Sequence, residues 1–165
     1  MRTEPRIFHG DYTQEPIIYW EDFRVGEAVQ YGSYHVTREE IIEFALEFDP
    51  QANHTDEEAA KKSLLGGLSA SGRHTASMTL RMIHEGLTFN SAFSGGAGID
   101  ELRWQRPVYV DDILSVRRTC RGSQPSLSRP ETGLIHFVWE VLNQRGEIVM
   151  IMTTWAAYLC RSQLQ

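Results

Sequence analysis

The chain has 165 residues, a net charge of −6 at neutral pH and a pI of about 5.5. This length predicts one domain over residues 1–165, and the acidic balance argues against a general nucleic-acid-binding protein. The sequence contains neither an apolar run long enough to cross a bilayer nor an N-terminal segment of the signal-peptide type. We therefore expect a soluble cytoplasmic protein that does not act at membranes.

The N-terminal residues 1–20 show no hydrophobic period and contain two prolines. We expect them to form an arm that lies over the surface, because their pattern indicates neither a helix nor a strand. The core of the domain is then expected over about residues 21–160, and its first strand is expected at about 27–36.

Two capping-box patterns predict the next two helices. Thr37 is followed three residues later by Glu40, a pattern in which side chain and backbone satisfy each other's free hydrogen-bonding groups at a helix start. This helix ends where Pro50 pushes the preceding residue out of the α region. Thr55 begins the second pattern, which predicts a short helix through about Lys62.

A longer helix is predicted over residues 72–85, between a pair of glycines and Gly86. Ser69 or Ser71 can cap its start. Its apolar stripe consists of Ala76, Leu80 and Ile83, widened by Met78 and Met82. Because small residues begin this helix and apolar residues continue it, we expect it to be buried against a sheet.

The β-rich composition of the C-terminal half predicts four further strands, at about 99–106, 112–121, 133–143 and 147–160. The polar, proline-bearing stretch 122–133 is expected to form a loop between two of them. Runs of strands after helices indicate the α+β class, in which the long helix packs on one face of the sheet.

The last two predicted strands carry apolar residues on both faces, as in IHFVWEVL and IVMIMTTWAAYL. One layer of helix covers a single face of a sheet. We therefore predict that a second copy of the chain covers the other face, in a homodimer or a larger homo-oligomer.

No metal site is predicted. Cys120 and Cys160 lie in predicted strands and form no CxxC pair, so we expect neither a disulfide nor a cysteine metal site. His54 and Asp56 would supply two ligands, but no third ligand accompanies them.

The run FDPQANHTDEEAA contains Asp49 and His54, five positions apart between two predicted helices. Two titratable groups on one tight loop can lean toward a common point, as acid–base chemistry requires. Histidine titrates near neutral pH, and a partly buried carboxylate can be tuned toward the same range. The pair is a candidate catalytic site, although many loops contain an aspartate and a histidine by chance.

The chain resembles the MaoC-like dehydratase and (R)-specific enoyl-CoA hydratase family in four segments, EDFRVGE, FDPQANHTDEEAA, GGLSASGRHTASM and GIDELRWQRPVYVDD. The resemblance implies a hotdog fold, in which an antiparallel β-sheet wraps around a long central α-helix. It also implies a lyase that reversibly adds water across the 2,3 double bond of an enoyl thioester. The implied carrier is CoA before acyl carrier protein, and no cofactor is expected beyond the CoA of the substrate.

The resemblance also assigns roles to single residues. Family members use an aspartate and a histidine in the pattern D-x4-H to hold a water against the enoyl thioester, and Asp49 and His54 match that pattern. By the same resemblance, Gly72 is an oxyanion-hole donor to the thioester oxygen.

The residues around Gly72 are compatible with this role. If Ser71 caps the long helix, the N–H of Gly72 has no helical partner and lies at the positive helix end. The missing Cβ would let a ligand approach closely. The alternative is that Gly72 is small only because the helix packs closely on the sheet.

Three positions depart from the family pattern. Gln51 stands where asparagine is common, and it can donate the same amide hydrogen bond over a longer reach. Ser71 stands where histidine often precedes the glycine, and it keeps a hydrogen-bonding side chain. Asn53 replaces an apolar residue and either contacts a polar acyl group or faces solvent. We expect Gln51, Ser71 and Gly72 to bind the substrate, and the departures to bear on acyl preference.

Two other functions remain open from the sequence. A hotdog acyl-CoA thioesterase would release free thiol, and a non-catalytic acyl-CoA-binding module would bind without turnover. A phosphate-bearing small molecule is compatible with the acidic chain, because a few arginines suffice to bind it. The candidate arginines, each of which is otherwise a solvated charge at a strand edge, are Arg103, Arg106, Arg117, Arg118 and Arg121.

Overall fold

The computed structural model describes residues 16–161. Its helices are α1 Arg38–Phe48, α2 Ala52–Thr55, α3 Glu57–Lys62 and α4 Gly72–Gly86. Its strands are β1 Ala28–His35, β2 Phe93–Trp104, β3 Ile113–Pro125, β4 Thr132–Leu142 and β5 Ile148–Leu159. Short 3-10 helices span Trp20–Asp22 and Thr88–Asn90. Most of the predicted N-terminal arm lies outside the described residues.

The five strands form one antiparallel sheet in the order β1-β3-β4-β5-β2. The long helix α4 contacts β1 and β3, so it lies on one face of this sheet. The core fills the space between helix and sheet, where Met78 and Met82 belong to the same buried cluster as Val116, Ile135 and Phe137. This architecture is the hotdog fold of the α+β class, and the fold prediction is confirmed.

The buried face of α4 differs in part from the predicted stripe. Met78, Met82 and Ile83 are buried as predicted, whereas Leu80 is 50% exposed. The other buried positions of this face are His74, Thr75 and Thr79. The two threonines can be buried because each hydroxyl donates to the carbonyl oxygen four residues earlier in the helix.

The first predicted helix is confirmed, and the second is shifted by one residue. The hydroxyl of Thr37 accepts a hydrogen bond from the backbone N–H of Glu40, and the reciprocal bond of the capping box is also present. The cap of α3 is Asp56, whose carboxylate accepts from the N–H of Ala59 at 2.9 Å. Thr55, the predicted cap, instead ends the one-turn helix α2.

Strand β2 begins earlier and ends earlier than the predicted 99–106. Its first half is glycine-rich, and Gly95 and Gly98 adopt positive φ angles of 146° and 156°. The pairing with β5 shifts register near these glycines. Glycine lowers intrinsic β-propensity, which explains why the pattern did not indicate a strand there.

The predicted polar loop 122–133 is shorter in the structure. Strand β3 continues through Gly122 to Pro125, which pairs with Gly133 of β4. The next residue, Ser126, continues the pairing by donating from its N–H to the carbonyl of Thr132 at 3.1 Å. The connection between β3 and β4 is therefore 126–131, and the rest of the predicted loop belongs to the sheet.

The two faces of β4 differ in burial. Ile135 and Phe137 point toward α4 and are fully buried, whereas His136 and Val138 on the opposite face are partly exposed. The predicted homo-oligomer, which would cover this opposite face, stays a prediction. Within the part of the chain that the structure describes, no helix has both the length and the apolar composition needed to cross a bilayer.

Candidate active site

The backbone between α1 and α3 brings Asp49 and His54 together. Asp49 caps the end of α1, where its N–H donates to the carbonyl of Ala45 at 2.9 Å. A tight turn follows, closed by a hydrogen bond of 2.7 Å from the N–H of Gln51 to the carbonyl of Asp49. His54 lies in the single turn of α2, so the predicted loop is partly helical. The carboxylate and the imidazole consequently face each other across 3.9 Å, measured from Oδ2 to Nε2.

The ring of His54 is buried, and a hydrogen bond determines which of its two nitrogens carries the hydrogen in the neutral ring. Only 7% of the residue is exposed. Its Nδ1 lies 2.7 Å from the backbone carbonyl of Ser69. A carbonyl oxygen only accepts, so Nδ1 carries the hydrogen and, in the neutral ring, Nε2 presents a lone pair. The amide of Asn53 lies 3.5 Å from Nε2, consistent with Nε2 as an acceptor.

Two side chains hold the carboxylate of Asp49. The hydroxyl of Ser71 donates to Oδ2 at 2.6 Å, and the amide of Gln51 donates to Oδ1 at 2.7 Å. The Ser71 hydrogen bond, followed by that of Gln51, holds the pKa of Asp49 below its ordinary value. Because both bonds favour the charged form, Asp49 is a carboxylate at neutral pH.

Ser71 joins the start of α4 to the end of α1. Its side chain is fully buried. The hydroxyl oxygen accepts from the N–H of Arg73 at 3.2 Å, which caps α4, while the hydroxyl hydrogen is donated to Asp49. The serine that was expected to bind substrate therefore has its hydroxyl directed to the carboxylate.

Gly72 is the first residue of α4, and its N–H has no partner within the helix. The space beside its Cα is filled by the indole of Trp104. A Cβ added at Gly72 would lie 2.6 Å from Cε2 of that ring, closer than real contacts allow. Close packing therefore explains this glycine. The group that packs against it is the indole of Trp104, at the end of β2.

All of these groups line one cleft of about 480 Å³. The cleft contains the five residues that were expected to act in catalysis or substrate binding, namely Asp49, Gln51, His54, Ser71 and Gly72. Asn53 also lines the cleft, so of its two interpretations the structure favours a position at the site.

The arginines considered as phosphate ligands divide between the cleft and the sheet. Arg106 lines the cleft. Arg117 and Arg118 lie in β3, where they form ion pairs with Glu140 and Glu27. Of these candidates, Arg106 is therefore the one positioned at the cleft.

Sequence reasoning missed Ser69 and Trp104. Ser69 contributes through its backbone carbonyl, for which a sequence carries no signal. Trp104 lies within the family segment GIDELRWQRPVYVDD at the end of a predicted strand, and an aromatic residue at that place was the available signal. His74, by contrast, is buried against Phe44 with ring centroids 4.6 Å apart, and it lies outside the cleft-lining set.

The chain matches known proteins over most of its length. The family described as MaoC like domain matches residues 22–133. An uncharacterized Bacillus subtilis protein, YdeM, is 32% identical over 126 residues, which are 76% of this chain and 87% of YdeM.

Two solved structures are similar in both sequence and fold. The MaoC-like dehydratase from Rhodospirillum rubrum is 39% identical, with a TM-score of 0.79 over 87% of this chain and 98% of its own. A monoamine oxidase regulatory protein from Archaeoglobus fulgidus is 31% identical, with a TM-score of 0.77 over 87% of this chain and 95% of its own. The extent of the family match, together with the shared fold, shows that this chain belongs to the MaoC-like domain family.

Proposed function

We propose that the chain is an enoyl thioester hydratase, which reversibly adds water across the 2,3 double bond, with CoA as the preferred carrier. The observation that carries the proposal is the pair of Asp49 Oδ2 and His54 Nε2, 3.9 Å apart in the cleft. The name of the similar Rhodospirillum rubrum protein, a dehydratase, refers to the same reaction class in the reverse direction.

The separation of the two atoms suits one water molecule. At 3.9 Å the carboxylate and the imidazole are too far apart to hydrogen-bond directly. A water placed beside them reaches both at ordinary distances of about 2.8 Å. Because both groups are acceptors, this water donates both hydrogens to the pair and turns its oxygen lone pairs toward the cleft. That orientation suits attack on a carbon atom.

The protons can be followed through the reaction. The water oxygen bonds to the β-carbon of the enoyl group while Nε2 of His54 takes one water proton. The electron pair of the double bond moves through the α-carbon to the thioester oxygen, forming an enolate. The imidazolium then returns the proton to the α-carbon, and the pair is restored. Elimination of water is the same path in reverse.

Asp49 has a different task from His54 in this scheme. The hydrogen bonds from Ser71 and Gln51 make its carboxylate a weak base. It therefore stays anionic, orients the water, and stabilises the imidazolium that forms beside it. The enolate oxygen is bound by the N–H of Gly72 at the positive end of α4, as an oxyanion-hole donor.

The testing experiment follows the enoyl-thioester absorbance of a trans-2-enoyl-CoA panel, with a thiol reagent in parallel. We expect absorbance loss without thiol release in the wild-type protein, and no loss in Asp49→Asn. Thiol release would instead identify a thioesterase. Tight binding without either signal would identify the non-catalytic acyl-CoA-binding module. The same acyl group on acyl carrier protein tests the choice of carrier, and we expect slower turnover than with CoA.

We also propose that the working form is a homodimer. The proposal is supported by the face of the sheet opposite α4, where Val138 of β4 and Ile151 of β5 remain partly exposed. Burying such apolar surface against a second copy would stabilise both copies. Light scattering at micromolar concentration is expected to give twice the monomer mass, and a stable monomer would contradict the proposal.

A further inference from the structure

The indole of Trp104 occupies the space that a side chain at position 72 would need. A Cβ on Gly72 would lie 2.6 Å from Cε2, 2.8 Å from Nε1 and 3.0 Å from Cδ2 of this ring. These three atoms belong to the rigid ring and cannot swing away independently. A side chain at position 72 would therefore force the whole indole to move.

The backbone of Trp104 is held firmly, while its ring is held by two lighter contacts. Trp104 pairs with Met150 of β5, and the next residue donates from its N–H to the carbonyl of Val149 at 2.8 Å. The indole Nε1–H donates to the carbonyl of Gly72 at 2.8 Å. The guanidinium of Arg73 lies 5.7 Å from the ring centroid, within range of a cation–π contact.

The ring also faces the cleft that contains the candidate site. Trp104 lines this cleft and is 46% exposed. In the proposed reaction the thioester oxygen accepts from the N–H of Gly72. The thioester carbonyl therefore lies near the indole, and we take its acyl side, rather than its carrier side, to face the ring.

We propose that Trp104 is the specificity-determining residue of this site, and that its indole is the wall that limits acyl groups to short chains. The inference rests on the proposed function, because it takes the cleft to hold an acyl thioester. The backbone of Trp104 is fixed in the sheet, and its ring fills the space beside Gly72. An acyl chain long enough to need that space would be excluded. Removing the ring opens the cleft beside the oxyanion-binding N–H.

The first test compares wild type, Trp104→Ala and Trp104→Phe on trans-2-butenoyl-CoA, trans-2-hexenoyl-CoA and trans-2-octenoyl-CoA. One methylene in an apolar pocket changes kcat/KM by about tenfold or more. We expect the ratio of octenoyl to butenoyl kcat/KM to rise by at least about tenfold in Trp104→Ala. Trp104→Phe keeps a ring without the N–H, so its ratio is expected to stay close to that of wild type. An unchanged order of substrates in Trp104→Ala would overturn the inference.

The second test checks the packing without using activity. Gly72→Ala is expected to lower the melting temperature in the wild-type background, since the new methyl group meets the indole. The same substitution in Trp104→Ala is expected to have little effect, because the two positions are coupled only through the ring. Equal losses in both backgrounds would show that the indole does not occupy this space and would overturn the inference.

The two proposals fail in distinguishable ways. If wild type hydrates no enoyl thioester, the proposed function fails and the inference falls with it, even when the melting data show the coupling. If wild type hydrates the panel and Trp104→Ala keeps the wild-type order, the inference alone fails.

Discussion

Two of the aspartate–histidine pairs among the described residues show that closeness of the two side chains does not by itself make a candidate site. His35 and Asp111 lie on the surface, with Nε2 and Oδ1 3.0 Å apart and side chains 57% and 79% exposed. His54 and Asp49 are farther apart, at 3.9 Å, but their side chains are only 9% and 25% exposed. The closer pair is already satisfied by its own contact and by solvent. The wider pair leaves room for one water between two acceptors.

The surroundings of the two pairs differ as much as their distances. Asp49 and His54, here called the inner pair, are each held by a neighbour. The backbone carbonyl of Ser69 accepts from His54, and the hydroxyl of Ser71 donates to Asp49. These partners set which atoms carry hydrogens before any substrate binds. Exposed ion pairs contribute little to stability and are screened by salt. What distinguishes the inner pair from the exposed pair is therefore the set of residues that hold it, and not the distance between its two side chains.

The largest expected effect is the loss of hydration activity when His54 is replaced, compared with the same replacement of His35. His54→Ala is expected to lower enoyl-CoA hydration by about 10²- to 10⁴-fold, because the proton acceptor is lost. The matched substitution His35→Ala is expected to change the rate by less than about twofold, because His35 is exposed, lies outside the cleft and is a position where substitution perturbs the fold little. Steady-state kinetics with one enoyl-CoA and both variants provides the measurement. Similar losses in the two variants would break the distinction between the pairs.

A smaller effect is expected from the hydroxyl that holds the inner carboxylate. Ser71→Ala removes one hydrogen bond to a charged group, so we expect a loss of hydration of about tenfold to a hundredfold. It also removes the cap of α4, which is expected to cost about 1 kcal/mol of unfolding free energy. Kinetics and denaturant unfolding measure the two losses.

The control for this substitution lies on the same helix. The hydroxyl of Ser77 donates to the carbonyl of Arg73 and is exposed, away from the inner pair. Ser77→Ala is expected to keep both the rate and the stability. If Ser71→Ala also kept the wild-type rate, the hydrogen bond to Asp49 would have no part in turnover.

The titration of Asp49 gives a finer test of how the inner pair is held. Hydrogen bonds from Ser71 and Gln51 hold its pKa below the ordinary value in the folded protein. Ionised Asp49 therefore stabilises the fold above the ordinary aspartate range, and this contribution disappears as pH falls through the lowered folded-state pKa. In Gln51→Ala we expect the pKa of Asp49 to rise toward its ordinary value, as followed by carboxyl-carbon NMR.

An exposed glutamine supplies the control for the titration. Gln30 of β1 donates to the hydroxyl of Ser115, away from the cleft. Gln30→Ala is expected to leave the titration of Asp49 unmoved. A titration that stayed unchanged in Gln51→Ala as well would remove Gln51 from the group of residues that hold the carboxylate.

The sequence predicted those parts of the fold that depend on neighbouring residues. Thr37 and Glu40 are three residues apart, so their capping box could be recognised from local spacing and is present in the structure. Ser71 as the cap of α4 is also a local pattern. The one-residue error at Thr55 arose because Asp56 beside it is an equally good cap, and only the packed chain decides between them.

Contacts between distant residues could not be predicted in the same way. The hydrogen bond from Ser71 to Asp49 spans 22 residues, and that from Trp104 to Gly72 spans 32 residues. Both depend on how α1, α4 and β2 pack, which no local pattern records. The glycine of the site shows the consequence, since its local sequence could not decide whether the neighbour of this glycine is a ligand or a packing partner.

The central claim is that Asp49 and His54 present two proton acceptors to one water. The most direct measurement is the NMR spectrum of the two ring nitrogens of His54 in the folded wild-type protein, recorded at a pH where the ring is neutral. The account predicts a hydrogen on Nδ1, donated to Ser69, and a lone pair on Nε2, facing Asp49. A hydrogen on Nε2 with a bare Nδ1 would contradict it, because the pair would then contain one acceptor and one donor.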